Sequence, residues 1–166
     1  KGRGRTIVKV PPLPPPRGKV VVFTFRGDDV GSATVREQVV RALRVKGLTI
    51  VTTIRPVDSA EQYRDMAVAL DLVGYVDGEV RDDGDQASAT VHLRSGVTGR
   101  RIASATFSGE RRKLPAEVAK GLWTEVGPAF ARVCVEAAKP RKVERAPMRI
   151  EAGTPIENSR QDDEGT

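Results

Sequence analysis

The chain has 166 residues, which is room for one domain of ordinary size with some length to spare. Hydrophobic residues make up 39% of it and aromatic residues only 4%, so its core must consist chiefly of valine, alanine, leucine and isoleucine. No apolar run approaches the ~20 residues of a membrane-spanning helix. The single cysteine, Cys134, excludes an intramolecular disulfide, and its place on the apolar side of a helical pattern predicts a buried structural thiol.

The net charge of +6 comes from one end of the chain. Residues 1–19 carry six basic side chains and no acid, whereas residues 20–139 carry 17 basic and 16 acidic side chains. Residues 140–166 carry five basic and six acidic ones. The excess therefore lies in an N-terminal arm, which fits either a solvated tether or a contact with nucleic acid, anionic lipid or an acidic protein surface.

The arm, residues 1–18, ends in the sequence VPPLPPPRG, which contains five prolines. This composition predicts a stiff polyproline II spacer. Pro12, Pro15 and Arg17 also match the pattern PxxPxR, which proline-rich ligands present to aromatic grooves. At the other end, residues 140–166 are polar and charged without periodicity, which predicts a disordered tail.

The first folded segments alternate between strand and helix patterns. The run KVVVFTF, residues 19–25, is typical of a central strand buried on both faces. Thr34 and Glu37 have the spacing of a capping box, Ser32 is a second candidate cap, and Gly47 is expected to end this helix.

A second strand and helix follow in the same order. Residues 48–54, LTIVTTI, predict another buried strand. Ser59 and Gln62 have capping-box spacing ahead of an apolar stripe from Tyr63 to Leu70. The first half of the domain is therefore predicted as β-α-β-α.

The second half changes to strand periodicity. Residues 72–81, 87–94 and 101–109 predict three strands joined by short Gly/Asp turns, an antiparallel meander that is apolar on one face. Alternation places Tyr75 and Asp77 on the opposite, polar face.

A long helix completes the domain. Pro115 is suited to a helix start, and an apolar stripe runs from Val118 to Ala137. Gly127-Pro128 is expected to kink that helix or split it in two. The predicted fold of residues 19–139 is thus α/β (α+β), a mixed sheet in the order β-α-β-α-β-β-β-α with helices packed on it.

Neither a cofactor nor a metal site is predicted. The loop after the first strand matches neither GxxxxGK[ST] nor GxGxxG, and Asp28 and Asp29 would repel a phosphate. Residues 82–85, DDGD, resemble the start of a calcium loop, but its twelfth position is Leu93 instead of glutamate. They are better explained as hairpin-turn residues.

Catalytic residues are also hard to identify. The only histidine, His92, falls on the polar face of a strand, and no serine has a nucleophile-elbow context. Asp77 and Glu79 share a strand face about 6–7 Å apart, but a solvated sheet face explains them without acid–base chemistry. The sequence therefore predicts no enzyme.

The order of segments as a whole resembles the N-terminal α/β domain of TolB and of related envelope proteins, including CsgG-like proteins and penicillin-binding-protein activators. The resemblance covers residues 19–138 and is clearest in Leu72–Val80, LVGYVDGEV, and in the hairpin Gly96–Ile102, GVTGRRI. It implies a non-enzymatic, periplasmic interaction domain and transfers no functional residue. The chain has no length for the β-propeller of TolB and no long insert for the pore hairpins of CsgG-like proteins.

We therefore expect an interaction or scaffold domain of the cell envelope that docks partner proteins through a sheet edge or helix faces. The candidate edge is the last strand, residues 101–108, where Ala105→Pro should abolish partner binding while leaving the fold largely intact. The candidate contact residues are Arg101, Ala103, Ala105, Phe107, Arg111 and Arg112.

The alternative function is nucleic-acid binding through the arm and a basic cluster. Small α/β modules that bind RNA stack bases on exposed aromatic side chains, and this sheet offers only Tyr75. The cluster comprises Arg100, Arg101, Arg111, Arg112 and Lys113.

Overall fold

A computed structural model of the protein describes residues 15–27 and 29–140. Pro12, Asp28 and the tail from residue 141 lie outside the described residues, and with them most of the predicted spacer. Across the described residues, six strands and three helices follow in this order: β1 (Gly18–Val22), β2 (Arg26–Gly27), α1 (Asp29–Val45), β3 (Leu48–Val51), α2 (Ala60–Leu70), β4 (Leu72–Asp83), β5 (Gln86–Ser95), β6 (Arg101–Glu110) and α3 (Leu114–Ala138).

The predicted mixed α+β architecture is confirmed. The strands form one sheet in the order β3-β1-β4-β5-β6, in which β1 is parallel to both β3 and β4, and β4, β5 and β6 form the antiparallel meander. The sequence did not predict β2, a two-residue strand that pairs with β4 in parallel. Two residues are too few for the alternation by which a strand is recognised.

Helices cover the sheet on both sides. One face packs against α1 and α3 in the larger core, which includes Val20, Val22 and the inward residues of the meander. The other face packs against α2 in a smaller core with Val21 and Phe23. β1 is therefore buried on both faces, as its β-branched run predicts.

The two predicted capping boxes differ in outcome. At α2 the Ser59 side chain accepts from the Gln62 backbone at 3.1 Å and the Gln62 side chain accepts from the Ser59 backbone at 3.0 Å, so this box is confirmed. The prediction for Thr34 and Ser32 is wrong, because α1 already begins at Asp29. Gly47, just beyond the end of α1, has φ +99°, which favours glycine there.

The last helix, α3, is continuous. Pro115 is its second residue, and the apolar stripe Val118–Val133 faces the larger core, as predicted. The expected split at Gly127-Pro128 does not occur, since α3 runs through both residues. Gly127 has a separate packing reason: a Cβ there would lie 2.8 Å from the Trp123 ring.

Candidate interaction edge

The longest unpaired edge of the sheet belongs to β6. β6 is the final strand of the sheet order and has ten residues, whereas the strand at the opposite end, β3, has four. Among the described residues no strand pairs with the far side of β6. A row of backbone donors and acceptors along this edge is therefore open to another chain.

The strand register shows which backbone groups of β6 point outward. Ser95 donates its N–H to the Arg100 carbonyl at 2.9 Å, and Arg111 donates its N–H to the Asp85 carbonyl at 2.8 Å. The Asp85–Arg111 bond joins odd-numbered residues and continues the register of the pairs from Gln86–Glu110 to Leu93–Ala103, whereas the Ser95–Arg100 bond lies beyond the register shift at Arg94. Backbone groups alternate in direction along a strand, so odd-numbered residues of β6 bond to β5. The residues that direct their N–H and C=O groups outward are Ser104, Thr106 and Ser108.

Side-chain contacts support this register. Thr90 and Thr106 hydroxyls are 3.2 Å apart, and the His92 Nδ1 lies 2.7 Å from the Ser104 hydroxyl. Side chains approach most closely in pairs that share no backbone hydrogen bond. The even-numbered residues of β6 therefore share no backbone hydrogen bond with β5. Their N–H and C=O groups are open to a further strand.

The apolar candidate residues lie on the inner side of β6. Ala105 is only 5% exposed, Ala103 is half-buried, and both pack towards α3. The Phe107 ring lies 2.9 Å from the place of a Cβ on Gly121 of α3. These three side chains therefore attach β6 to the core. A partner on this edge would contact the backbone of β6 and not these side chains.

The basic candidate residues are paired with acids. Arg111 also donates to the Gly84 carbonyl at the hairpin turn. The ion pairs are Arg101–Asp77 at 3.6 Å, Arg111–Asp82 at 3.7 Å, Arg112–Glu110 at 4.0 Å and Lys113–Glu110 at 3.7 Å. The cluster around β6 is thus a mixed-charge rim, which weakens its interpretation as a phosphate-binding surface.

Tyr75, the one predicted stacking residue, is buried. Its side chain is 1% exposed, its ring stacks on Phe23 at 5.7 Å, and its hydroxyl donates to the Tyr63 carbonyl at 2.6 Å. Its placement on an open polar face was therefore wrong, because α2 covers this part of the sheet. No base can stack there.

A cross-strand row of Asp77, His92 and Ser104 was not foreseen. The register places Asp77 opposite His92 and His92 opposite Ser104. Burial, and next the nearby Arg101 guanidinium, lower the pKa of His92. Asp77 bonds to Arg101 and not to the imidazole, so among the described residues the row lacks the carboxylate–histidine bond of a catalytic triad.

Arg36 is a second residue that the sequence did not single out. Its guanidinium donates to the carbonyls of Val22, Phe23 and Thr52 at 2.8–2.9 Å, and burial lowers its pKa. It therefore ties the ends of β1 and β3 to α1. These three hydrogen bonds explain the position of the Arg36 guanidinium beside the first loop, so its role is structural.

A cavity of about 360 Å³ adjoins the start of β6. Ile102, which is 44% exposed, and Val133 and Val135 of α3 form its apolar wall, and Arg132 and Glu136 stand at its rim. An apolar recess beside an open strand edge is suited to one side chain of an added strand.

The junction with the arm is ordered. Pro15 and Arg17 are exposed, and the Arg17 backbone hydrogen-bonds the Cys134 thiol. Cys134 is buried as predicted, and burial raises its pKa despite that hydrogen bond.

Within the described residues no group of three or more potential metal ligands occurs, and none of the three described helices combines the length and apolar character of a membrane span.

The fold is similar to several solved structures. Lipoprotein GNA1162 from Neisseria meningitidis is 12% identical with a TM-score of 0.44, and the similarity covers 73% of this chain and 99% of that one. TolB from Acinetobacter baumannii is 14% identical with a TM-score of 0.47 over 64% of this chain and 27% of TolB. The LpoB C-terminal domain from Escherichia coli is 14% identical with a TM-score of 0.45 over 56% of this chain and 82% of that domain.

These similarities concern the fold alone. TolB and LpoB are among the structures of similar fold, which agrees with the resemblance identified from the sequence. No protein-family model matches the chain, and comparison with curated protein sequences finds no match.

Proposed function

We propose that the protein is a non-enzymatic interaction domain that binds an extended segment of a partner protein as an additional strand on β6. The observation that carries the proposal is the outer edge of β6, ten residues long, with the backbone groups of Ser104, Thr106 and Ser108 directed outward. An extended peptide gains main-chain hydrogen bonds from such an edge.

The composition of β6 supports this role. Natural edge strands are usually short, charged or interrupted by proline, which prevents uncontrolled pairing. The segment 102–109, IASATFSG, carries neither charge nor proline, and the charged residues stand only at its two ends. A β-bulge near Arg94 distorts the first residues of β6 and leaves the remainder regular. The edge is therefore protected at its ends and open in its middle.

The proposed setting is the periplasm or envelope of a bacterium. It follows from the resemblance of the sequence to TolB-type envelope domains. In that setting the basic, proline-rich arm would act as a tether ahead of the interaction domain, and the partner would be an envelope protein.

The edge is tested with Thr106→Pro. The structure makes Thr106 a better probe than Ala105, because a proline at Ala105 would remove a hydrogen bond within the sheet itself. Of the backbone groups, proline at Thr106 removes only an outward N–H, a position where strands tolerate it, and it also removes the hydroxyl that contacts Thr90. Thr106→Val is the matched control, since it keeps the backbone donor and removes the hydroxyl.

A photo-cross-linking residue at Ser108 of the full chain would first identify the bound segment in envelope fractions. That segment, as a labelled peptide, is then titrated against the parent chain and the two variants. We expect Thr106→Pro to weaken binding about tenfold, since lost main-chain hydrogen bonds contribute about 1 kcal/mol each, and Thr106→Val to bind like the parent. Equal affinity of the folded Thr106→Pro chain would overturn the proposal.

A further inference from the structure

A second surface lies between α1 and α3. A cavity of about 290 Å³ opens there, with Ala42 and Ala119 among its lining residues and Val45, Lys46 and Trp123 around them. Val45 is 82% exposed, and Trp123 is only partly buried. We call this surface the Trp123 groove.

The Trp123 ring is well placed to bind an apolar segment in this groove. It is the only tryptophan of the chain. Its ring stacks on Phe130 with a centroid separation of 5.6 Å, which fixes its orientation. The Lys46 ammonium lies over the Trp123 ring, 5.5 Å from its centroid, so the groove has an aromatic wall covered by the mobile end of a lysine side chain.

The arm leaves the folded domain next to this groove. The Pro16 carbonyl lies 3.4 Å from the place of a Cβ on Gly47, the residue that follows Lys46. The Arg17 backbone meanwhile bonds to Cys134 of α3. Both contacts hold the junction against the same pair of helices that form the groove, and the chain continues from Pro15 into residues 1–14.

We propose that residues 10–14, VPPLP, dock in the Trp123 groove of their own chain. These five residues are uncharged, and from the first to the last they would span about 12 Å as polyproline II. The stretch of α1 from Gln38 to Lys46 is about 12 Å long, so the lengths match. Polyproline segments bind aromatic grooves because they are already extended and lose little entropy.

The charge pattern restricts the docked stretch to those residues. The groove carries Arg41 and Lys46, and four basic residues of the arm fall within residues 1–9. Like charges would keep that part of the arm away from the groove, whereas the neutral residues 10–14 meet no repulsion. Attachment at Pro15 supplies a high effective concentration, so weak contacts are sufficient.

Quenching of Trp123 fluorescence by acrylamide tests this proposal in the full chain. The test variant combines Pro12→Gly, Leu13→Ser and Pro14→Gly. The matched control makes equivalent changes in the other terminal segment, Pro147→Gly, Ile150→Ser and Pro155→Gly. We expect Trp123 to be protected in the parent and control chains and to lose that protection in the test variant.

Two further measurements separate the alternatives. A synthetic peptide of residues 10–17, added to the test variant, should restore protection, and the parent signal should not change on dilution. Equal quenching in parent and test variant would overturn the proposal, as would protection that disappears on dilution, because the occupant would then be the arm of a second copy.

Discussion

Strand alternation predicts polar, open surroundings for Tyr75, whereas its side chain is buried. Its hydroxyl donates to the Tyr63 carbonyl within the smaller core. We expect Tyr75→Phe to lower the free energy of unfolding by about 1 kcal/mol, the net contribution of one hydrogen bond. Urea denaturation measures it. Tyr63→Phe is the control, since that hydroxyl has no hydrogen bond among the described residues, and an equal loss in both variants would contradict the assignment.

His92 should make stability depend on pH. Burial and the nearby Arg101 lower its pKa below the ordinary value of 6.5, so the unfolded chain binds the proton more readily than the folded one. The contribution of His92 to stability is fully present above pH 6.5 and is lost as the pH falls through the lowered pKa of the folded state. The free energy of unfolding should therefore decrease more on acidification in the parent than in His92→Gln. Parallel pH profiles would show that His92 does not contribute.

At the scale of elements, two sequence patterns with the same capping-box spacing have different structural outcomes. Ser59 caps α2, whereas the Thr34 hydroxyl donates to the Val30 carbonyl inside α1 at 2.8 Å. Ser59→Ala should cost about 1 kcal/mol, a typical value for a lost N-cap. Thr34→Ala should cost nothing or stabilise slightly, since alanine is the better residue within a helix. Thermal unfolding of the two variants compares them directly, and a larger loss for Thr34→Ala would contradict the observed start of α1.

β4 shows why the candidate surface was only partly predictable. Its alternation correctly separates Val76 and Val80 from Asp77 and Glu79, but one of its faces changes cover along the strand. α2 buries this face at Tyr75, and the same face is half-exposed at Asp77 and Glu79. Periodicity reports only which side a residue faces. The cover on that side depends on where a helix from elsewhere in the sequence packs.

For the molecule as a whole, the order and type of the long elements followed from apolar periodicity, and the order of strands in the sheet did not. Residues 19–25 indicate a central strand but not that its neighbours are β3 and β4, because the choice of neighbours depends on crossover connections. The outward direction of Thr106 likewise depends on the β5–β6 register. The sequence therefore pointed to β6 as the candidate strand, and the register was needed to find which of its backbone groups face outward.

The central position of β1 has a mechanical consequence. Tension can be applied at Gly18, the end of this strand, in the direction of the strand axis. β1 is paired with β3 on one side and β4 on the other, both in parallel. Such a pull loads both hydrogen-bonded ladders at once and must shear them together, instead of opening them one bond at a time. Pulling Gly18 along the axis of β1 should therefore require a larger rupture force than peeling β6 away from β5.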